Sequence, residues 1–472
     1  MVAGEATPFI KTGGLADVLG ALPAALRERG EDVAVVLPWY RDSVVEDSRL
    51  VLQQFPVWLG KTSYPVRVHV SVVRGVPYYL VECRPLFDRD GVYVTEEGDF
   101  ADNHVRYAVL SRAALTVARW VFRPDILHCH DWQAGLVPVY LRNYLAGDPL
   151  FLGVKVLLTI HNLGYQGLFP VSALGQMGLD RSVFHYDGLE FFGKVNVLKG
   201  GIVYSDALST VSQGYAREIQ TPEYGHGLDG LLASRSAVLT GILNGADYSE
   251  WNPETDRHIA ANYSSRHLAG KQVCKRALLA EFGLPPKALG RPLVGMVSRL
   301  VSQKGFDLIE KAAAALAGEN LSLVVLGTGD ARYEKLLADM ALAHPARFAV
   351  KLAYDDALAH RIEAGADIFL MPSHYEPCGL SQIYSLRYGT VPVVRATGGL
   401  DDTIDRTTGF KFKEYSAAAM LTALRSALES YGDPDRWKAM MLAGMARDYS
   451  WAASAGEYSA LYTRLRLHPV GR

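Results

Sequence analysis

One rhythm constrains this chain more than any other feature. A short apolar run rich in β-branched residues is followed by a turn and then by a helical pattern, over and over. Val33–Leu37, Tyr79–Glu82, Ile126–His130, Val154–Ile160 and Ala207–Val211 form one series of runs. Leu293–Ser298, Leu321–Leu326, Phe348–Leu352, Ile368–Met371 and Val391–Arg395 form a second. Continuous apolar strands between helices belong to a parallel sheet buried on both faces. Two series in succession predict an α/β protein of two doubly wound domains. The stretch LTGILNGADYSEWN, residues 239–252, is rich in Gly, Asn and Asp and has no sustained period, so it marks the break. The predicted domains are 1–241 and 242–449, with a closing helix over 450–472. From Phe412 onward the pattern is helical, interrupted near Gly432–Pro434.

Composition narrows the function by exclusion. The 48 Lys and Arg nearly balance the 50 Asp and Glu, for a net charge of -2. That is not the basic surface of a nucleic-acid binder or of a polybasic membrane anchor. Cys83, Cys129, Cys274 and Cys378 form no C-x-x-C pair and no zinc spacing, so reduced thiols in a cytoplasmic protein are expected. No apolar segment is long enough to span a bilayer, and MVAGEATPFIKTGG has neither the basic start nor the apolar run of a secretory signal.

In open α/β sheets ligands sit beyond the carboxyl ends of the strands, so the segments after each run carry the chemistry. Lys11-Thr12-Gly13-Gly14 is a glycine turn leading into a helix, with a cation beside free N–H groups that favour an anion. An ordinary strand–helix turn with a solvated lysine competes with that reading. Arg299 and Lys304 follow Leu293–Ser298 and offer a fork and a point charge to a diphosphate, unless the loop is merely solvated. Ser373-His374-Tyr375-Glu376-Pro377-Cys378-Gly379-Leu380-Ser381 brings a carboxylate, a small turn and a helix start together. The helix start can receive a phosphate and Glu376 can meet the sugar it carries; a capping carboxylate is the plainer alternative.

On a strand His128 and His130 point the same way while Cys129 points opposite, which argues against a metal cluster there. Asp131 and Trp132 at the strand end read as sugar contacts, a carboxylate for hydroxyls and an aromatic face for a pyranose. His161-Asn162 ends the next strand in the same manner, with a buried structural histidine as the alternative. Asp88-Arg89-Asp90 is a literal D-x-D that, with Gly91 following, reads as a surface turn rather than a metal site.

Taken in order, KTGGLADV (11–18), HDWQAG (130–135), Asn244-Gly245 with Trp251-Asn252-Pro253, Arg299–Gly305, EPCGL (376–380) and TGGL (397–400) resemble the bacterial glycogen synthase and plant starch synthase family over essentially the whole chain. The resemblance implies the GT-B fold: two Rossmann-like domains facing a cleft, with the last helix crossing back to the first domain. It implies ADP-glucose as donor, an α-1,4-glucan such as glycogen as acceptor, retention of configuration, and no cofactor or metal. UDP-glucose or another acceptor, or a non-catalytic glucan binder, are the competing readings.

By position, the resemblance assigns Lys11, Gly13 and Gly14 to the donor's phosphate–glucose region, and Arg299 and Lys304 to the departing diphosphate. It gives Gly379, Leu380 and Ser381 to the distal phosphate and Tyr354 to the adenine. Asp131, His161, Asn244, Glu376 and Cys378 would surround the glucose, with Tyr93 nearby. No second carboxylate stands out as the nucleophile that a retaining hydrolase would place about 5 Å from its acid/base. The family reading instead has the acceptor hydroxyl attack from the leaving-group face, with the phosphate as its base and the His161 carbonyl supporting positive charge on the sugar.

One expectation concerns the start. Only a few residues precede Lys11, so the first, central strand of the sheet is expected to survive as a stub over Met1–Ala3, with the natural start upstream.

Overall fold

The computed structural model describes residues 1–95 and 98–467. They form two compact units. The first comprises Met1–Val211, Ala216–Gly245 and the segment from Trp451 onward; the second comprises Ser212–Tyr215 and Ala246–Ser450.

The first unit is built on one sheet. Its strands are β1 (Val35–Pro38), β2 (Arg49–Leu59), β3 (Thr62–Val73), β4 (Val76–Glu82), β5 (Ile126–His130), β6 (Lys155–Ile160), β7 (Ala207–Thr210) and β8 (Leu239–Gly241). β2, β3 and β4 are antiparallel neighbours, and β4 pairs in parallel with β1. On the other side β5, β6, β7 and β8 pair in parallel in that order. The N-terminal residues join the halves: Val2 bridges both Val36 and Cys129 in parallel, and its N–H donates to the His128 carbonyl at 2.8 Å. Met1–Ala3 is thus a central strand position, as expected.

The helix Gly14–Glu28 packs with the last helix, Trp451–Leu467, in a core that includes Ala3, Phe9, Leu19, Leu22, Tyr458 and Leu461. Tyr462 of that last helix meets His128 Nδ1 at 2.7 Å. The chain therefore returns to the first unit at its end. No helix among the described residues is long and apolar enough to cross a membrane.

The second unit holds six parallel strands: β9 (Leu293–Val297), β10 (Ser322–Leu326), β11 (Phe348–Lys351), β12 (Ile368–Met371), β13 (Val391–Arg395) and β14 (Phe410–Phe412). Their order is β11-β10-β9-β12-β13-β14. The strands are apolar because helices bury both faces, with Ile309, Leu316 and Leu424 in one core and Leu278, Leu358 and Ile362 in the other. The strand order reverses between β9 and β12. Loops leaving neighbouring strands toward opposite faces open a crevice at such a point.

This unit also buries charge. Lys275 and Asp367 form a pair at 2.7 Å with almost no exposure. Glu363 accepts from Ser385 Oγ at 2.7 Å, and burial pushes its carboxyl up to about 8. Lys271 donates to the Ala364 and Tyr388 carbonyls and to Thr390 Oγ1, and burial lowers it to about 8. A carboxyl whose folded pKa lies above its unfolded value stabilises the fold below the unfolded pKa and loses that contribution as pH rises through the folded one. Here the window runs from the ordinary carboxyl value of 4.5 to about 8. Glu363→Gln keeps the neutral form at every pH. Urea unfolding should show the variant gaining on the wild type by about 1.4 kcal/mol or more between pH 5 and pH 8, the worth of one pKa unit. A pH-independent difference would show that Glu363 is not buried neutral.

Candidate active site

In the second unit the chemistry gathers where β9 and β12 end. The loop after β9 turns through Ser302–Lys304 to Gly305, which has φ +83°. A Cβ there would lie 2.1 Å from the Pro372 carbonyl oxygen, so only glycine lets this loop run against the one that follows β12. The His374 N–H donates to the Gln303 carbonyl at 2.8 Å and ties the two loops together. This contact delivers Lys304 to Glu376, Nζ to Oε2 at 2.6 Å. Ser373 Oγ donates to the same oxygen at 3.1 Å. Glu376 is 6% exposed, so its charge is held by these partners rather than by water.

The loop after β13 supports Glu376 from beneath. Gly398 has φ +45°, and a Cβ there would come 2.0 Å from the Glu376 carbonyl oxygen. Gly399 N–H donates to that oxygen at 3.1 Å. Cys378 is buried, and Gln382 Nε2 donates to the carbonyls of Cys378 and Gly379 at 3.1 and 3.0 Å. Those bonds secure the turn that leads through Leu380 into the helix Ser381–Arg387. The N–H groups of a first helical turn have no intrahelical acceptors. Arg299, just past β9, is exposed and has no ion pair among the described residues. Tyr354, just past β11, is 85% exposed.

The first unit repeats the arrangement where the N-terminal strand and β5 end. Glu5, 3% exposed, accepts from the Thr12 N–H at 2.5 Å and from Thr12 Oγ1 at 2.7 Å, which fixes the turn before Gly13 and Gly14. Burial raises the Glu5 carboxyl above its ordinary value. A Cβ on Gly14 would meet nothing within 4 Å, and one on Gly13 only Glu5 Oε1 at 3.8 Å. Internal packing does not demand these two glycines, whereas a close-approaching ligand would. Lys11 pairs with Asp17 at 2.8 Å on an exposed face.

Asp131 is held at φ +55°, a backbone strain that a non-glycine residue accepts only where its surroundings dictate it. Its Oδ1 accepts from the His161 N–H at 2.7 Å. Burial pushes this carboxyl up to about 7, against the pull of the His161 and Asn162 N–H donors. His130 Nδ1 and His161 Nε2 are 3.0 Å apart, and the His128 and His130 rings lie 4.1 Å apart, tilted by 32°, on the same strand face. Burial lowers all three imidazoles, His161 to about 3, so the cluster is neutral. His128 spends both nitrogens on Thr159 and Tyr462, leaving no lone pair for a metal.

Tyr93 belongs with this group: its hydroxyl lies 2.7 Å from where a Cβ on Gly4 would sit, next to Gln133. Tyr93 Oη, Gln133 Oε1, His130 Nε2 and Asn244 Oδ1 are all buried without a hydrogen-bond partner among the described residues. Buried polar atoms are normally satisfied, so these four stand out at the loop ends of the first unit.

One reading of the sequence changes. Trp132 is no open platform for a pyranose. It is 8% exposed, lies against Gly167, and meets Tyr107 edge-on at 4.9 Å, so its ring is packed inside the protein. Asp88 and Asp90 are both engaged by Arg41, at 2.9 and 2.8 Å, and are a paired surface turn. Glu5, Gln133, Ser373 and Gln382 were not legible as site residues. Only Ser373, three residues before Glu376 in the same motif, carried a usable signal.

Residues 1–234 match the family profile described as the starch synthase catalytic domain, and residues 282–440 match that of glycosyl transferases group 1. A glycogen synthase from Koribacter versatilis is 52% identical, over 98% of this chain and 97% of its own length. One from Geotalea daltonii is 48% identical over 100% and 99%. The catalytic domain of starch synthase IV from Arabidopsis thaliana, solved with ADP and acarbose, superposes with a TM-score of 0.89 at 34% identity, covering 99% of each chain. A sucrose-phosphate synthase from Thermosynechococcus elongatus, at 18% identity and TM-score 0.60, shares the fold. With a mixed sheet in the first unit and a parallel, doubly wound one in the second, a last helix that returns to the first unit, and full-length identity of about one half, the chain belongs to the glycogen synthase and starch synthase family of GT-B glycosyltransferases.

Proposed function

We propose that the chain transfers glucose from ADP-glucose to the non-reducing end of an α-1,4-glucan with retention of configuration. The observation that carries this reading is the part-buried Lys304–Glu376 pair at the strand-order reversal, with Arg299 exposed in the same loop. An ammonium has three donors and Glu376 takes one, so Lys304 keeps donors for a diphosphate. Arg299 adds a bidentate fork. Together they neutralise charge that grows on the leaving phosphate, work that a metal does in other transferases.

Glu376 Oε2 is committed to Lys304 and Ser373, which leaves Oε1 for a hydroxyl of the donor glucose. The starts at Gly379, Leu380 and Ser381 receive the distal phosphate, and the exposed Tyr354 ring stacks on the base. That the Arabidopsis relative was solved with ADP supports an adenine nucleotide. In the first unit the Gly13–Gly14 turn and Lys11 meet the phosphate–glucose region. The exposed ion pair of Lys11 with Asp17 is worth about 0–1 kcal/mol. Asp131, His161, Asn244 and Tyr93 contact sugar hydroxyls. No carboxylate besides Glu376 is assigned as nucleophile; the acceptor hydroxyl attacks on the face the phosphate leaves, and the phosphate takes its proton. Preorganised charge in a dry site supplies most of the acceleration.

Incubation with ADP-glucose and glycogen should release ADP and lengthen the glucan, with UDP-glucose turned over less efficiently in direct competition. Preference for UDP-glucose, or no transfer to a glucan, would overturn the assignment. Glu376→Ala and Lys304→Ala should each lower kcat at least about 100-fold, the cost of losing one preorganised charge contact. Lys11→Ala should raise KM more than it lowers kcat, because it positions the ground-state donor. The reverse split would place Lys11 in the chemical step.

A further inference from the structure

A cluster outside the transfer machinery has the make-up of a metal site. The second unit opens with the segment Ala246–Asp256, whose Trp251 is stacked between His360 and Tyr384, with ring centroids 3.7 and 4.0 Å apart. His360 lies on the helix Asp356–Gly365 and is fully buried. Its Nδ1 is 2.7 Å from Asp256 Oδ2, and the Tyr388 hydroxyl donates to the same oxygen at 2.5 Å. An imidazole with one proton keeps it on Nδ1 here, facing the carboxylate, and presents the Nε2 lone pair on its other side.

That Nε2 is buried and has no hydrogen-bond partner among the described residues. What it meets instead is a carboxylate one helical turn away, Asp356 Oδ2 at 4.0 Å. A Glu250 carboxylate oxygen completes the group, and the three atoms all lie within 4.8 Å of one another. One imidazole nitrogen and two carboxylate oxygens gathered this closely are a donor set for a divalent cation.

The structure assigns this group a ligand: we propose that Glu250, Asp356 and His360 bind one zinc-type divalent cation in the second unit. The Asp256–His360 contact is the carboxylate–imidazole pairing that orients metal-bound histidines. One nitrogen and two oxygens suit zinc or its neighbours rather than calcium or magnesium, which take oxygen alone. Zinc bonds of about 2.0–2.1 Å put tetrahedral ligand atoms roughly 3.3 Å apart. The observed spacing therefore closes with a small movement of the carboxylates, and both are exposed and able to make it. Solvent supplies the fourth position. The ion would staple the opening segment of the unit, through Glu250, to the helix that carries Asp356 and His360. No residue assigned to glucosyl transfer takes part.

The test uses the full chain, stripped with a chelator and dialysed. Titration with zinc should show one saturable site by calorimetry, and cobalt should give a visible absorption band of low-symmetry coordination. The double variant Glu250→Gln, Asp356→Asn changes only exposed side chains, so it should keep its melting temperature in chelator. It should lose at least 100-fold in zinc affinity along with the cobalt band. His360→Gln is the second probe and should abolish the band. No saturable zinc binding, or zinc affinity and cobalt spectrum unchanged in the double variant, would overturn the proposal.

Discussion

The ion pair between Lys304 and Glu376 is the contact on which the second unit's site depends. A buried carboxylate is costly without a partner, and breaking such a pair from one side costs about 3–5 kcal/mol. The fold therefore has to bring the lysine to it. It does so through two glycines that no other residue could replace. Gly305 lets the β9 loop touch the backbone after β12, and Gly398 lets the β13 loop slide under Glu376. The pair lies where the strand order reverses, the place where a doubly wound sheet opens for a ligand. Charge, loop geometry and topology all meet at one 2.6 Å contact.

The first unit uses the same topological position for different chemistry. Among the described residues its loops present no buried ion pair. They hold a neutral histidine cluster, a strained Asp131 whose carboxyl is pushed up to about 7, and several buried polar atoms without partners among the described residues. Neutral, under-satisfied donors and acceptors suit hydroxyl-rich sugars, just as the exposed Arg299 beside Lys304 suits phosphate. On the proposed function, the division of labour between the units follows from which charges each one buries.

Much of this was legible in the sequence, and what was not has physical reasons. Every apolar run named as a strand is one, because strands buried on both faces must be apolar throughout. The β2–β3 hairpin is hard to read from sequence because many of its side chains face solvent and the valines of β3 alternate with Arg67 and His69. β14 is three residues long, too short to leave a pattern. The same-side placement of His128 and His130 followed from strand periodicity. Trp132 was misjudged because sequence cannot tell an aromatic that faces a ligand from one capped by a glycine elsewhere in the chain, here Gly167. Glu5 and Gln382 act through hydrogen bonds to backbone, which have no motif.

The claim that Lys304 and Glu376 act as one device is tested most directly by a double-mutant cycle on turnover. Residues that work as a unit are grossly non-additive. The account predicts that the variant carrying both Lys304→Ala and Glu376→Ala has a kcat close to that of the slower single variant. A kcat reduced by the product of the two single effects would mean that the residues contribute independently, and would contradict it.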